Sequence, residues 1–116
     1  MIESTEKYTF VELADESARR YEQPSFHILS ENGVRGQILN LRAGRKLGPA
    51  VVPSITVLIG ISGEVRIVAC DREFMLRSLS QLTLLPNISF TLQASGDAAC
   101  ELLTIPQLES DGVAPK

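Results

Sequence analysis

Few residues in this chain have side chains suited to chemistry, and their spacing is uninformative. There is one histidine, His27. An imidazole can act as a general base, but a lone one more simply reads as a hydrogen-bonded structural residue or a surface residue. The two cysteines, Cys70 and Cys100, lack any metal-binding spacing, so two free thiols in a reducing compartment are expected rather than a disulfide. Cys70 has the acidic Asp71 beside it, a poor setting for a reactive thiolate. Cys100 lies between Ala99 and Glu101 in a strand-like run and reads as a small packed residue. Asp71, Glu73 and Asp97 sit at turns or strand starts, where solvated carboxylates are usual. Gly60 and Gly63 are not followed by a helix, so they form no phosphate cradle. Asn87-Ile88-Ser89 matches a glycosylation sequon, which without a secretory signal is a chance match.

The elements that would position these residues are strands. Phe26 to Leu29 ends at the turn signal Glu31-Asn32-Gly33. Val34 to Arg42 is bounded by Ala43-Gly44. Ser54 to Ile59 is rich in branched residues, and Glu64 to Ala69 alternates at period two, which predicts one wet face. Asp71-Arg72 is read as a hairpin connection to Glu73–Leu76. Gln81 to Leu85 ends at Pro86, and Ser89–Gln93 and Ala99–Ile105 flank the turn Ser95-Gly96-Asp97. Strands this short and close indicate a sandwich or barrel. Ahead of them, Thr9 and Glu12 have capping-box spacing, with Tyr8 and Leu13 placed as a hydrophobic staple. A helix from Phe10 to Arg20 competes with an extended reading of Lys7 to Leu13, and Pro24 closes either one.

Composition bounds the rest. At 116 residues with 44% hydrophobic and 22% charged residues, the chain suits one globular core. The expected organisation is an N-terminal extension over 1–24, a β-barrel domain over 25–106 and a frayed polar tail over 107–116. The net charge of −3 and the lack of a basic run give no footprint for nucleic acid. The most apolar stretch, Ala50 to Val68, contains Pro53, Gly60, Gly63, Glu64 and Arg66, so no membrane span is expected. The acidic, polar start is unlike a secretory signal, and a cytoplasmic location is expected.

Two stretches resemble the motifs of the cupin superfamily. The first motif has a glycine, five residues, two histidines one residue apart, a glutamate and a closing glycine. From Gly44, its histidine slots fall on Ala50 and Val52, its glutamate slot on Thr56 and its closing glycine on Gly63. In the second motif, Pro86 fits the proline, Thr91 takes the histidine slot and Ser95 the asparagine slot. The resemblance implies an all-β fold, a small antiparallel jelly roll of the RmlC-like kind with a short N-terminal helix or extension. Gly44, Gly63 and Pro86 are then structural positions.

The family's chemistry is missing. Its metal is held by imidazoles and a carboxylate, and such ions require strong lone-pair donors. Ala50 and Val52 have none, Thr56 and Thr91 offer neutral hydroxyls, and the single histidine cannot rebuild a three-histidine site. No metal or other cofactor is expected. If the ligand slots point into the barrel, as the resemblance implies, period-two alternation has Ala50, Val52, Thr56 and Leu58 line it from one strand, and Ser89, Thr91 and Gln93 from another. Such an interior either fills itself or forms an apolar pocket with a few placed polar groups. The expectation is therefore a metal-free, non-catalytic module binding a small molecule or a protein partner. The alternative is a cupin enzyme, either a metal-free isomerase using His27 or a dioxygenase-like protein with a relocated metal. The metal-free isomerases of this fold pair a histidine with a carboxylate and a tyrosine, whereas Tyr8 and Tyr21 lie outside the motifs. The resemblance also implies a homodimer, with the N-terminal segment available to a neighbour's sheet edge.

Overall fold

A computed structural model describes residues 2–106. The order is β1 (Ile2–Ser4), β2 (Thr9–Val11), α1 (Leu13–Arg19), β3 (Ser25–Glu31), β4 (Val34–Leu41), β5 (Lys46–Val51), β6 (Ile55–Ser62), β7 (Val65–Ala69), β8 (Arg72–Leu76), β9 (Gln81–Leu84), β10 (Ser89–Ala94) and β11 (Ala98–Ile105). The tail expected over 107–116 lies outside the described residues.

Two antiparallel sheets face each other, one in the order β5-β10-β7-β8 and the other β3-β4-β11-β6-β9. Apart from the hairpins β3–β4 and β7–β8, successive strands from β3 onward cross between the sheets, as in a jelly roll. The core forms where their inner faces meet: Val65, Ile67 and Ala69 of β7 and Phe90, Leu92 and Ala94 of β10 oppose Leu39 and Leu41 of β4, Leu58 of β6 and Cys100 of β11. In β7 the expected alternation is present, with Arg66 and Val68 exposed between buried neighbours. Tight turns follow from residues that tolerate positive φ. Asn32 (φ 52°) and Gly33 (φ 85°) join β3 to β4, and Cys70 (φ 55°) and Asp71 (φ 59°) join β7 to β8. The second turn sits one residue earlier than the Asp71-Arg72 connection expected, because Arg72 already pairs with Ala69.

The N-terminal segment uses both competing conformations in succession. Thr9 belongs to β2, opposite Ser4, and its hydroxyl lies 3.2 Å from the Ser4 hydroxyl, so the capping box does not form. The helix starts after Glu12, which contributes no side-chain cap. Pairing with β1 holds Thr9 extended, where it cannot reach a helix terminus. The helix packs on β4 and β6, on the face of the five-stranded sheet away from the core. No helix among the described residues is long and apolar enough to cross a membrane.

Candidate functional site

Strand register determines which side chains share the inner face of the five-stranded sheet. One transverse row runs His27, Gln37, Leu102, Leu58 and Leu82 across β3, β4, β11, β6 and β9. The next row runs Arg35, Thr104, Thr56 and Leu84 across β4, β11, β6 and β9. Directly opposed residues have Cβ atoms about 5 Å apart, so each row is a line of touching neighbours. Both rows are apolar toward β9 and polar toward β3. The apolar half carries the packed core. The polar half forms one wall of an open cleft of about 440 Å³ lined by His27, Gly33, Arg35, Gln37, Val52, Ser54, Leu102 and Thr104. Val52 and Ser54 come from the short link between β5 and β6 where the chain crosses sheets. The cleft is therefore the mouth of the barrel, with Val52 and Leu102 as apolar wall and five side chains offering hydrogen bonds.

The sequence-based candidates divide between packing, mouth and surface. Thr56 (2% exposed) and Leu58 (0%) are buried in the barrel, and Ala50 and Val52 pack against the core. These four do not come from one strand. Ala50 lies on β5 in one sheet, Thr56 and Leu58 lie on β6 in the other, and Val52 lies between. They still share an interior because both sheets turn an inner face to it. Of the four, only Val52 lines the mouth. Ser89, Thr91 and Gln93 do not face the interior, which corrects the expectation for that strand. The inward set on β10 is Phe90, Leu92 and Ala94, all buried, while Ser89 is exposed and Gln93 accepts a 2.8 Å hydrogen bond from exposed Arg66. Counting from Pro86 set the parity one residue out. Asn87 turns the chain with φ 68°, and the burial of Phe90 and Leu92 then decides which face is inside. The alternation Ser-Phe-Thr-Leu-Gln-Ala itself carries that signal. Gly44 (φ 82°) and Gly63 (φ 66°) have left-handed backbone conformations. Pro86 sits in the link between β9 and β10.

A metal fits this donor set poorly. Ala50 and Val52 have no donor atoms, Thr91 is on the wrong face, and the Thr56 hydroxyl donates to the Ser54 carbonyl at 3.4 Å. Among the described residues, no three His, Cys, Asp or Glu side chains are grouped so as to hold a metal ion. Both thiols are free, Cys70 exposed and Cys100 buried. Burial pushes the Cys100 thiol up to about 12, with the Glu101 carboxylate adding to the shift.

Arg35, Gln37, Leu102 and Thr104 were not singled out from sequence. The signal was present in β4, where the odd positions read Arg35, Gln37, Leu39 and Leu41. One face of one strand changes from polar to apolar along its length, as it must where a barrel opens.

No protein-family model matches the chain, and no curated protein matches it. Solved structures do. A cupin superfamily protein from Desulfitobacterium hafniense superposes with a TM-score of 0.68 at 14% identity, covering 72% of this chain and 76% of that one. An RmlC-like cupin from Shewanella frigidimarina gives 0.67 at 9% identity, covering 74% and 78%. A protein of unknown function from Rhizobium leguminosarum gives 0.67 at 15% identity, covering 90% of this chain and all of that one (100%). Two facing antiparallel sheets and these superpositions identify the fold of the chain as that of the cupin superfamily.

Proposed function

We propose that this chain is a metal-free, non-catalytic cupin-like module that binds a small molecule in the open mouth of its barrel. One observation carries the reading: the barrel's middle is filled by its own side chains, while its mouth stays open with polar groups set on an apolar wall. That combination suits recognition, since apolar surface supplies affinity and a few fixed polar groups supply orientation. It does not suit the metal chemistry of the fold, whose ligand positions hold Ala50, Val52 and Thr56.

Thermal-shift screening of the full chain against a panel of small organic molecules tests the proposal, because a ligand specific to the folded state raises its apparent stability. Stabilising compounds should perturb the backbone amide resonances of His27, Gln37 and Thr104. Compounds that stabilise the chain while perturbing only distant residues would move the site elsewhere. Stoichiometric iron, nickel, manganese or zinc in the purified protein would overturn the metal-free reading and favour an enzyme.

Self-association belongs to the same proposal. Tyr8 (52% exposed) and Phe10 (50%) present large apolar surface on a two-stranded hairpin that pairs with neither main sheet. A second copy that covers them would give a dimer mass in light scattering, and a monomer mass at micromolar concentration would remove the idea.

A further inference from the structure

The mouth cleft has a charge character that its open shape alone does not require. Among the described residues, Arg35 is the one cationic arginine or lysine lining it, and none of its lining side chains is a carboxylate. The chain as a whole carries a net charge of −3, so this is a basic spot on an acidic protein. The other basic side chains with close acidic partners are elsewhere: Arg66 with Glu73 and Arg77 with Glu64, both on or beside β7 and β8, and Arg19 and Arg20 with Glu16 on the helix. No such partner stands beside Arg35 among the described residues. The groups around it are hydrogen-bond donors: the Gln37 amide, the Ser54 and Thr104 hydroxyls and the His27 ring. Thr104 lies directly opposite Arg35, and His27 lies directly opposite Gln37. All four can donate without contributing a negative charge.

We propose that the mouth cleft takes a small organic anion, its oxyanion group held by Arg35 and the surrounding donors and its apolar body laid against Val52 and Leu102. This deepens, and rests on, the reading of the mouth as a binding site. A guanidinium presents a planar pair of donors that matches the oxygens of a carboxylate or a phosphate. The row order supports the orientation of the ligand. Moving from Arg35 and Thr104 to Gln37 and Leu102 goes one row toward the core, so the charged end stays at the wet rim while the apolar end points inward. Hydrogen bonds to the anion are then made where water can enter and leave, and the buried Leu58 below meets only carbon.

The test uses four probes that share a ring and differ in the attached group: benzoate, phenyl phosphate, neutral benzamide and cationic benzylamine. Each is titrated into the full chain with amide resonances as the readout. The expected result is saturable shifts at His27, Gln37 and Leu102 for benzoate or phenyl phosphate, with benzamide at least about tenfold weaker and benzylamine silent. Comparing the two anions distinguishes a carboxylate site from a phosphate site. Arg35→Gln should weaken the anions about tenfold and leave benzamide unchanged, while Arg35→Lys should recover part of the loss. Arg35 is exposed, so neither substitution threatens folding. If benzamide binds in the cleft as tightly as the anions, or Arg35→Gln changes nothing, the anion proposal is overturned and the binding-module reading survives. If none of the four shifts the cleft residues, the anion proposal falls; if the wider panel also fails there, the binding-module reading falls with it.

Discussion

Ser17 donates its hydroxyl to the side-chain carbonyl of Asn40 at 2.7 Å, and this bond ties the helix to the outer face of β4. The Asn40 amide nitrogen then donates to the carbonyls of Arg20, at 2.9 Å, and Gln23, at 3.1 Å. One sheet residue thereby satisfies a buried hydroxyl and two carbonyls just past the helix, of which the Arg20 carbonyl also accepts from the Gln23 amide at 2.9 Å. Asn40→Ala should lower stability by about 1–3 kcal/mol, because it removes three hydrogen bonds and leaves the buried Ser17 hydroxyl without its acceptor. Asn40→Asp keeps the acceptor for Ser17 and loses both donations, so it should also destabilise. Urea midpoints measure both variants, and an unchanged midpoint for Asn40→Ala would show that the helix is held some other way.

Gly60 and Gly96 make a paired prediction. A Cβ on Gly60 would overlap the Arg77 carbonyl oxygen, which is backbone and cannot swing aside. The site is also pinned, since Gly60 donates to the Ser80 carbonyl at 2.9 Å and accepts from the Leu79 amide at 3.0 Å. Overpacking of this kind costs about 1–3 kcal/mol or more. At Gly96 a Cβ would meet nothing. Gly60→Ala should therefore reduce the urea midpoint markedly or prevent folding, and Gly96→Ala should stay within about 0.5 kcal/mol of the parent. Equal midpoints for the two variants would contradict the close approach of β6 to the link between β8 and β9.

The thiols should separate by accessibility. The nucleophile is the thiolate, and burial holds Cys100 protonated, with its value at about 12, while Cys70 is exposed in a turn. At pH 8 a maleimide should add once to the native chain and twice after unfolding in guanidinium, as counted by mass spectrometry. Two rapid adducts on folded protein would mean that β11 opens readily or that Cys100 is not enclosed between the sheets.

The fold was legible in the sequence because its signals are local. Period-two alternation placed β7, branched residues placed β6, and Asn32-Gly33 placed the first hairpin turn. Gly44, Gly63 and Pro86 supplied spacing. Parity across a turn was not legible, since a single residue in an unusual conformation, such as Asn87, exchanges the two faces of the strand that follows. Counting motif slots across that turn puts Ser89, Thr91 and Gln93 inside, whereas the strand's own alternation puts Phe90, Leu92 and Ala94 there. The mouth was harder still. His27, Arg35, Ser54 and Thr104 are scattered along the chain and meet only through the pairing of β3, β4 and β11 and the crossing from β5 to β6, which no single segment encodes. Ala50 and Val52 were legible as residues that cannot bind a metal because that conclusion needs only their chemistry.

Glu101 makes a final prediction about pH. Its side chain lies on the outer face of the five-stranded sheet, near the β4 backbone at Gly36 and beside Leu103. Burial raises its carboxyl above the ordinary value of 4.5. The folded state therefore takes up this proton at a higher pH than the unfolded state does. Between the ordinary value and the raised one, the folded chain holds more protons, so this residue's contribution to stability falls as pH rises through that window. Above the raised value the full cost of the buried charge is present, and below 4.5 it is gone. Glu101→Gln removes the charge at similar size. Its urea-derived stability should exceed that of the parent at pH 7, with the gap closing as pH is lowered toward 4.5. A gap that is constant across that range, or one that widens on acidification, would mean that the Glu101 carboxylate is not penalised by its surroundings.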